Sequence, residues 1–207
     1  MADSGVYEGT SHVPPVTGGG PVADPRPLAR ATVVLIAAQA VTQLGIALAG
    51  GTRSTLFART VPVSMALFLA TTIVFLCWFR RCRLNAEVFA PGSHRYAQGF
   101  AVGAWFIPVA MWWIPRRVAL DIRRASRPDG STWLINAWWA AWLAKTVGGA
   151  LTARFAAHAD GYALRDALIG LLAAVLAILV VRQITADQLA GWRPVSAAPP
   201  AASATTE

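Results

Sequence analysis

Long uncharged stretches separated by short arginine-rich segments form the main pattern of this chain. Four largely apolar stretches have the length of membrane-spanning helices, at residues 31–51, 61–79, 131–152 and 162–181, and the last of these carries Arg165 and Asp166 in its first turn. A hydrocarbon core of about 30 Å requires roughly 20 such residues. Lys145 is the only charge in the third stretch, and we expect its ammonium to reach the membrane interface by snorkelling. The pattern predicts an all-α integral membrane protein.

A fifth uncharged stretch, residues 97–115, has arginine clusters on both sides. Pro108 in its second half and Pro115 at its end each remove a helical hydrogen-bond donor, which favours a broken element. Broken backbone at membrane depth must be buried in protein or line a cavity. Two architectures are therefore open: four transmembrane helices plus a Trp/Pro-rich re-entrant or interfacial segment, or five transmembrane helices.

The distribution of the arginines favours the first architecture. With four spans and a cytoplasmic N-terminus, thirteen arginines lie on the cytoplasmic side and four lie outside. With five spans the arginines divide into eight inside and nine outside. Because short cytoplasmic loops carry an excess of basic residues, we expect a multi-pass protein of the cell membrane with both termini in the cytoplasm.

Composition supports a membrane domain over residues 28–185 with a tail at each end. Charged residues make up 14% of the chain and hydrophobic residues 56%, whereas an average soluble domain has roughly 25% charged residues. Residues 1–27 are rich in Pro and Gly, and residues 194–207 are rich in Ala, Pro, Ser and Thr. Such segments cannot bury enough apolar surface to fold, so we expect both tails to be disordered.

The formal net charge of +8 favours negatively charged partners. Because the arginine clusters adjoin stretches of membrane length, we expect anionic lipid head groups as their partners rather than nucleic acid. A homo-oligomer or a membrane protein partner is a further interpretation of the same clusters. The candidate contacts on the cytoplasmic side are Arg80, Arg81, Arg116, Arg117, Arg123 and Arg124.

We identify no catalytic, cofactor-binding or metal-binding constellation in the sequence, and we expect a protein that is not an enzyme. The histidines fall in a tail and two loops, and Cys77 and Cys82 lack metal-ligand spacing. Two functional classes remain. One is a non-enzymatic membrane protein with an arginine-rich cytoplasmic face for anionic lipid or a protein partner. The other is a small transporter or channel in which the broken central segment lines a path.

Several rare residues recur in a fixed order that resembles the bacterial family called domain of unknown function 4328, which is common in actinobacteria and uncharacterised. The resemblance covers roughly residues 31–181 and implies a multi-span membrane protein without implying an activity. Phe100 and Met111 depart from the family pattern, in which we expect Trp and Asn. The matching positions are Trp78, Arg83, Asn85, Glu87, Trp105, Pro108, Trp112, Pro115, Asp121 and Ser126.

Overall fold

The computed structural model describes residues 22–51, 55–155 and 164–191. Residues 1–21 of the predicted N-terminal tail and the whole predicted C-terminal tail lie outside these ranges. The described residues form helices and contain no β-strand. The helices are α1 (Arg26–Leu48), α2 (Thr55–Phe89), α3 (Phe100–Gly103), α4 (Ile114–Ser126), α5 (Trp133–Phe155) and α6 (Leu164–Gly191).

Three helices in the described ranges have the length and hydropathy needed to cross a membrane. They are α1, residues Phe57–Phe89 of α2, and α6, and each covers all or most of one predicted span. The fourth, α5, has sufficient length at 23 residues. The mean hydropathy of α5 is lower than that of the other three helices, because α5 contains four tryptophans, Lys145 and Arg154. These three apolar helices suggest a membrane location.

The helices α2 and α6 continue well beyond their uncharged stretches. At 1.5 Å per residue, the 35 residues of α2 extend about 52 Å and the 28 residues of α6 about 42 Å. Both lengths exceed a hydrocarbon core of about 30 Å. The extensions begin near Arg80 and Arg182, and they contain buried polar residues such as Asn85 and Gln188. Tertiary contacts therefore stabilise helix beyond the predicted spans.

The four long helices pack as neighbours that alternate in direction. The most extensive contacts join α1 to α6, α1 to α2, and α5 to α6. The segment before α1 is held against the end of α2, since Asn85 Nδ2 donates to the Ala23 carbonyl at 2.9 Å. The end of α6 lies beside the same part of α2, where Asn85 Nδ2 also donates to Gln188 at 3.1 Å. We call this end of the bundle, together with α4, the arginine-rich end.

The central apolar segment does not form a continuous helix. It contains the four residues of α3 and a single 3₁₀ turn at Ala110–Trp112, and Pro108 occupies an exposed turn between them. The side chain of Trp105 packs edge-on against Phe75 of α2 and Trp142 of α5, with ring centroids 5.6 and 5.8 Å away. The break predicted from the prolines is therefore present, and aromatic packing holds the segment against two long helices.

Helix α4 is amphipathic, and its apolar face is covered by protein. Val118 and Ile122 are buried, whereas Arg117 and Arg124 on the opposite face are exposed. This division follows from the helical spacing of these residues. The apolar face packs against α2, α5 and α6. The buried side of the helix also includes Arg123. The spacing of the apolar residues does not predict that this charged side chain is buried.

Candidate functional site

The arginine-rich end is held together by a buried polar network between α1, α2 and α6. Gln188 Nε2 donates to the Cys82 carbonyl at 2.8 Å, and its Oε1 accepts from Asn85. The side chain of Asn85 also accepts the Ala23 amide at 3.1 Å. One turn closer to the membrane, the indole N–H of Trp78 donates to Thr185 at 3.2 Å. Buried polar groups that are satisfied in this way fix the relative positions of helices.

Arg83 and Glu87 hold the loop that follows α2. Arg83 is 3% exposed and donates to the Glu87 carboxylate at 2.7 Å and to the Tyr96 carbonyl at 2.9 Å. The second Glu87 oxygen accepts the amide of Gly92 at 3.1 Å, where the backbone has a φ of 68°. Only glycine adopts this φ without strain. The pair therefore stabilises a tight loop rather than a solvated face of the helix.

A buried ion pair between Arg123 and Asp187 connects α4 to the end of α6. The two side chains are 4% and 8% exposed. Arg123 Nε also donates to the Ser131 carbonyl at 3.0 Å, and the exposed Arg127 approaches the same carboxylate at 3.8 Å. Burial, followed by the positive charge of Arg127, lowers the pKa of the Arg123 guanidinium. This pair was not predicted from the sequence, because nothing in the chain spacing relates positions 123 and 187.

The structure divides the six predicted lipid or partner contacts into internal and external groups. Arg123 is paired inside the protein, and Arg116 donates two hydrogen bonds, of 3.0 and 2.7 Å, to the Asn136 side chain. Arg117 is exposed and donates to the Tyr96 hydroxyl at 3.1 Å. The residues with charge facing outward are Arg80 and Arg124, which are exposed, and Arg81, which is half-buried.

The other motif residues serve local structure. Trp78 is 1% exposed and belongs to the core. Pro115 lies in the first turn of α4, where its missing N–H costs no hydrogen bond. The Ser126 hydroxyl donates to the Ile122 carbonyl at 2.9 Å, and Asp121 lies 3.7 Å from Arg124 on the outer face of the helix. These positions do not converge on one chemical centre.

The tryptophans of the central segment and α5 form a packed aromatic cluster. The rings of Trp139 and Trp142 stack with centroids 4.7 Å apart. Trp105 meets Trp139 edge-on at 6.1 Å, and Trp112 lies 6.1 Å from Trp142. The indole of Trp139 donates to the Trp112 carbonyl at 3.2 Å. The rings contact one another directly, which indicates that this cluster is packed side chains rather than a ligand pocket.

A groove between α1 and α6 contains three arginines that the sequence analysis did not select. Arg26, Arg30 and Arg182 line a cavity of about 400 Å³ whose walls include Val33 and Leu189. All three arginines are exposed. Two of them could have been found from the sequence by position, because Arg30 and Arg182 directly adjoin the uncharged parts of α1 and α6. We call this feature the arginine groove.

The charge of the arginine groove is only partly neutralised by the protein. Arg26 pairs with Asp24 through Nε at 3.0 Å, and hydrogen bonds from Arg26 lower the pKa of the Asp24 carboxyl. Among the described residues, Arg30 and Arg182 have no ion-pair partner. The groove therefore has two free guanidinium groups at the boundary between charged and apolar surface.

Lys145 does not extend along the outside of α5, as the snorkelling expectation requires. Its ammonium donates to Gln43 Oε1 of α1 at 3.4 Å. It also lies against Gly170 of α6, where an added Cβ would stand 2.6 Å from the ammonium nitrogen. The only charge in the apolar part of α5 thus points between helices.

Within the described part of the chain, no three His, Cys, Asp or Glu side chains come together in a way that could hold a metal ion. His94 lies 3.9 Å from the Glu87 carboxylate, and its side chain is 3% exposed. It borders a polar depression of about 520 Å³ that also includes Arg95 and Arg124. Asp121 also lines this depression, so its charges are mixed rather than uniformly positive.

Comparison with known proteins identifies the family of the chain. Neither the curated proteins nor the solved structures include a match. A family model described as "Domain of unknown function (DUF4328)" matches residues 47–186, which is more than half of the 207 residues. The match covers the end of α1, all of α2 to α5, and most of α6. The chain therefore belongs to the DUF4328 family, as the order of its motif residues indicates.

Proposed function

We propose that this protein is a non-enzymatic multi-pass membrane protein that binds anionic phospholipid at its arginine-rich end. The arginine groove carries the proposal. Basic pockets between transmembrane helices on the cytoplasmic side are typical binding sites for anionic head groups. In this groove the guanidinium groups of Arg30 and Arg182 would bind a lipid phosphate, while Val33 and Leu189 would contact its acyl chain.

The proposal includes four spans, with α5 as the fourth and the central segment as a re-entrant or interfacial element. Three observations support it. Helix α5 packs extensively on α6, residues 97–115 are too broken to form a regular span, and four spans leave thirteen of seventeen arginines on one side. By the positive-inside rule that side is the cytoplasm, so the arginine groove would face the leaflet that is rich in anionic lipid.

The strength of the interaction follows from the number of free arginines. Each basic residue close to an anionic membrane surface contributes about 1 kcal/mol. Replacing both Arg30 and Arg182 by Gln should therefore cost about 2 kcal/mol, which is roughly a 30-fold loss of affinity. Arg26 contributes less than its charge suggests, because Asp24 is already its partner.

The test is native mass spectrometry of the purified full chain with phosphatidylglycerol and phosphatidylcholine in competition. We expect the unmodified protein to retain phosphatidylglycerol preferentially, and the Arg30→Gln/Arg182→Gln variant to lose that preference. The matched control is Arg59→Gln/Arg154→Gln, which removes two exposed arginines from the opposite end of the bundle. Equal losses in the two double variants, or none in the first, would contradict the proposal.

The alternative function is a small transporter or channel with a path along the central segment. The contacts of the segment favour packing over conduction, because Trp105 and Trp112 are occupied by rings of α2 and α5. Transport of an ion through this element would require these rings to separate. Lipid binding is therefore the function that we propose first.

A further inference from the structure

The lysine between the long helices has an unusual position for a charged residue. Lys145 lies in the middle of α5, about 18 Å along the helix from Trp133 at 1.5 Å per residue. Charged side chains at such depth are costly, and they usually face the bundle interior and mark functional sites. Among the described residues, no carboxylate lies within ion-pair distance of the Lys145 ammonium.

The partners of the ammonium are weak. Its hydrogen bond to Gln43 is 3.4 Å long, whereas typical bonds of this kind are about 2.7–3.2 Å. The carboxylate of Asp166, one turn before Gly170 on α6, attracts the Lys145 ammonium electrostatically. That carboxylate also lies 3.6 Å from Arg165. The lysine therefore retains capacity to donate hydrogen bonds to an additional anionic group.

The ammonium borders a cavity with further unused polar atoms. This cavity, of about 230 Å³, lies between α1, α2, α5 and α6 and includes Gln39, Gln43 and Phe68. A neighbouring cavity of about 290 Å³ shares these three residues and adds Ser64. Gln39 Oε1 and Ser64 Oγ are buried and have no hydrogen-bond partner among the described residues. Buried polar atoms without partners are costly, and a ligand in the cavities could satisfy them.

The chemistry of the lining identifies the class of ligand. Lys145 is the only charged residue among the described residues that line the two cavities, so a ligand with one negative charge fits best. The other walls are mainly apolar, and exposed Val61 and Met65 of α2 place one cavity next to the surrounding lipid. The volumes are at or below the lower limit of typical ligand pockets, which begin at about 300 Å³, and favour a single chain over a two-chain phospholipid.

We propose that the cavities between α1, α2, α5 and α6 bind a single-chain amphiphile, with the carboxylate of a fatty acid at Lys145 and its alkyl chain along α2. This site is distinct from the arginine groove. The 13 residues from Arg30 to Gln43 separate the two by about 20 Å along α1. The site would select acids over uncharged amphiphiles, because only an anion compensates the ammonium in a low-dielectric environment.

The test uses the full chain in phosphatidylcholine nanodiscs with a palmitate analogue that carries a diazirine on its alkyl chain. After irradiation, we expect peptide mapping to find attachment near Met65 and Phe68. Palmitate should suppress the attachment, and hexadecanol, which has the same chain without the charge, should be at least roughly tenfold less effective. This comparison needs no variant. Equal suppression by both competitors, or attachment elsewhere, would overturn the proposal.

Variants then assign the head group to Lys145. We expect Lys145→Met to reduce attachment roughly tenfold or more, whereas Arg154→Gln on the same helix leaves it unchanged. Gly170→Ala places a methyl group where the ammonium lies and should also reduce attachment. Full attachment in either Lys145→Met or Gly170→Ala would refute the assignment.

Two further arms separate this proposal from phospholipid binding. The Arg30→Gln/Arg182→Gln variant should attach the palmitate analogue as well as the unmodified protein does. Phosphatidylglycerol added to the nanodiscs should not suppress attachment as strongly as palmitate. Suppression of equal strength would mean that a lipid phosphate occupies the site, and the fatty-acid proposal would then be wrong.

Discussion

Loss of the buried charge at Asp187 should destabilise the protein strongly. The change Asp187→Asn keeps the shape of the side chain and removes its charge, so the guanidinium of Arg123 remains buried without a counter-ion. Breaking a buried pair in this way typically costs about 3–5 kcal/mol. For a chain of this size, roughly 2–4 °C in Tm corresponds to each kcal/mol. We therefore expect a decrease in Tm of roughly 6–20 °C.

A surface pair on α4, the helix that carries Arg123, provides the matched control. Asp121 lies 3.7 Å from Arg124, which is 60% exposed. Exposed pairs contribute about 0–1 kcal/mol, so Asp121→Asn should change the Tm by only a few degrees at most. The measurement is thermal unfolding of the purified variants in the same detergent, followed by circular dichroism and by the tryptophan fluorescence of the aromatic cluster.

A double variant separates the penalty of an unpaired charge from the contribution of the pair. Replacing a buried ion pair by apolar residues of similar size is often neutral or stabilising. Arg123→Met combined with Asp187→Leu should therefore recover most of the stability that Asp187→Asn loses. If Asp187→Asn and Asp121→Asn lower the Tm equally, the Arg123–Asp187 pair does not hold α4 on α6 and our reasoning is wrong.

Three further predictions concern topology, the polar network and the aromatic cluster. In a chain without native cysteines, Cys introduced at position 124 should be protected from an impermeant thiol reagent outside intact cells, and Cys at position 154 should react; the opposite result would exclude a cytoplasmic arginine-rich end. Asn85→Ala removes hydrogen bonds to the segment before α1 and to α6 and should cost about 1–3 kcal/mol in thermal unfolding; an unchanged Tm would show that the network is not needed. Trp105→Ala should cost about 3–5 kcal/mol, whereas Trp133→Ala, which truncates a 63% exposed side chain, should cost much less, and equal losses would contradict the packing interpretation.

The sequence predicted the helices much better than the site. Each of the four predicted spans lies largely within an observed helix, because the length of an uncharged stretch is a local property of the chain. The observed ends differ by several residues. Helix α2 continues ten residues beyond residue 79, since Arg83 and Asn85 find partners that only the folded chain provides.

The sequence gives the number of arginines but does not show which of them lack a partner within the protein. Arg116 and Arg123 were selected with the exposed Arg80 and Arg124, yet the first two form internal contacts with α5 and α6. Pairing depends on which residues approach from distant parts of the chain, and neither composition nor spacing contains that information. The same limit hid Arg182, whose position beside α1 follows from helix packing.

Sequence alone determined that this protein has apolar helical stretches of membrane length, that its central segment is interrupted, and that its arginines cluster between those stretches. These properties follow from runs of apolar residues, from the missing N–H of proline and from the order of arginines along the chain. Only the tertiary structure decided which side chains meet. The rotation of α5 about its axis directs Lys145 toward Gln43 rather than toward lipid. The apolar residues of α5 surround the helix, so the sequence does not define one buried face. Packing against α6 therefore sets this rotation.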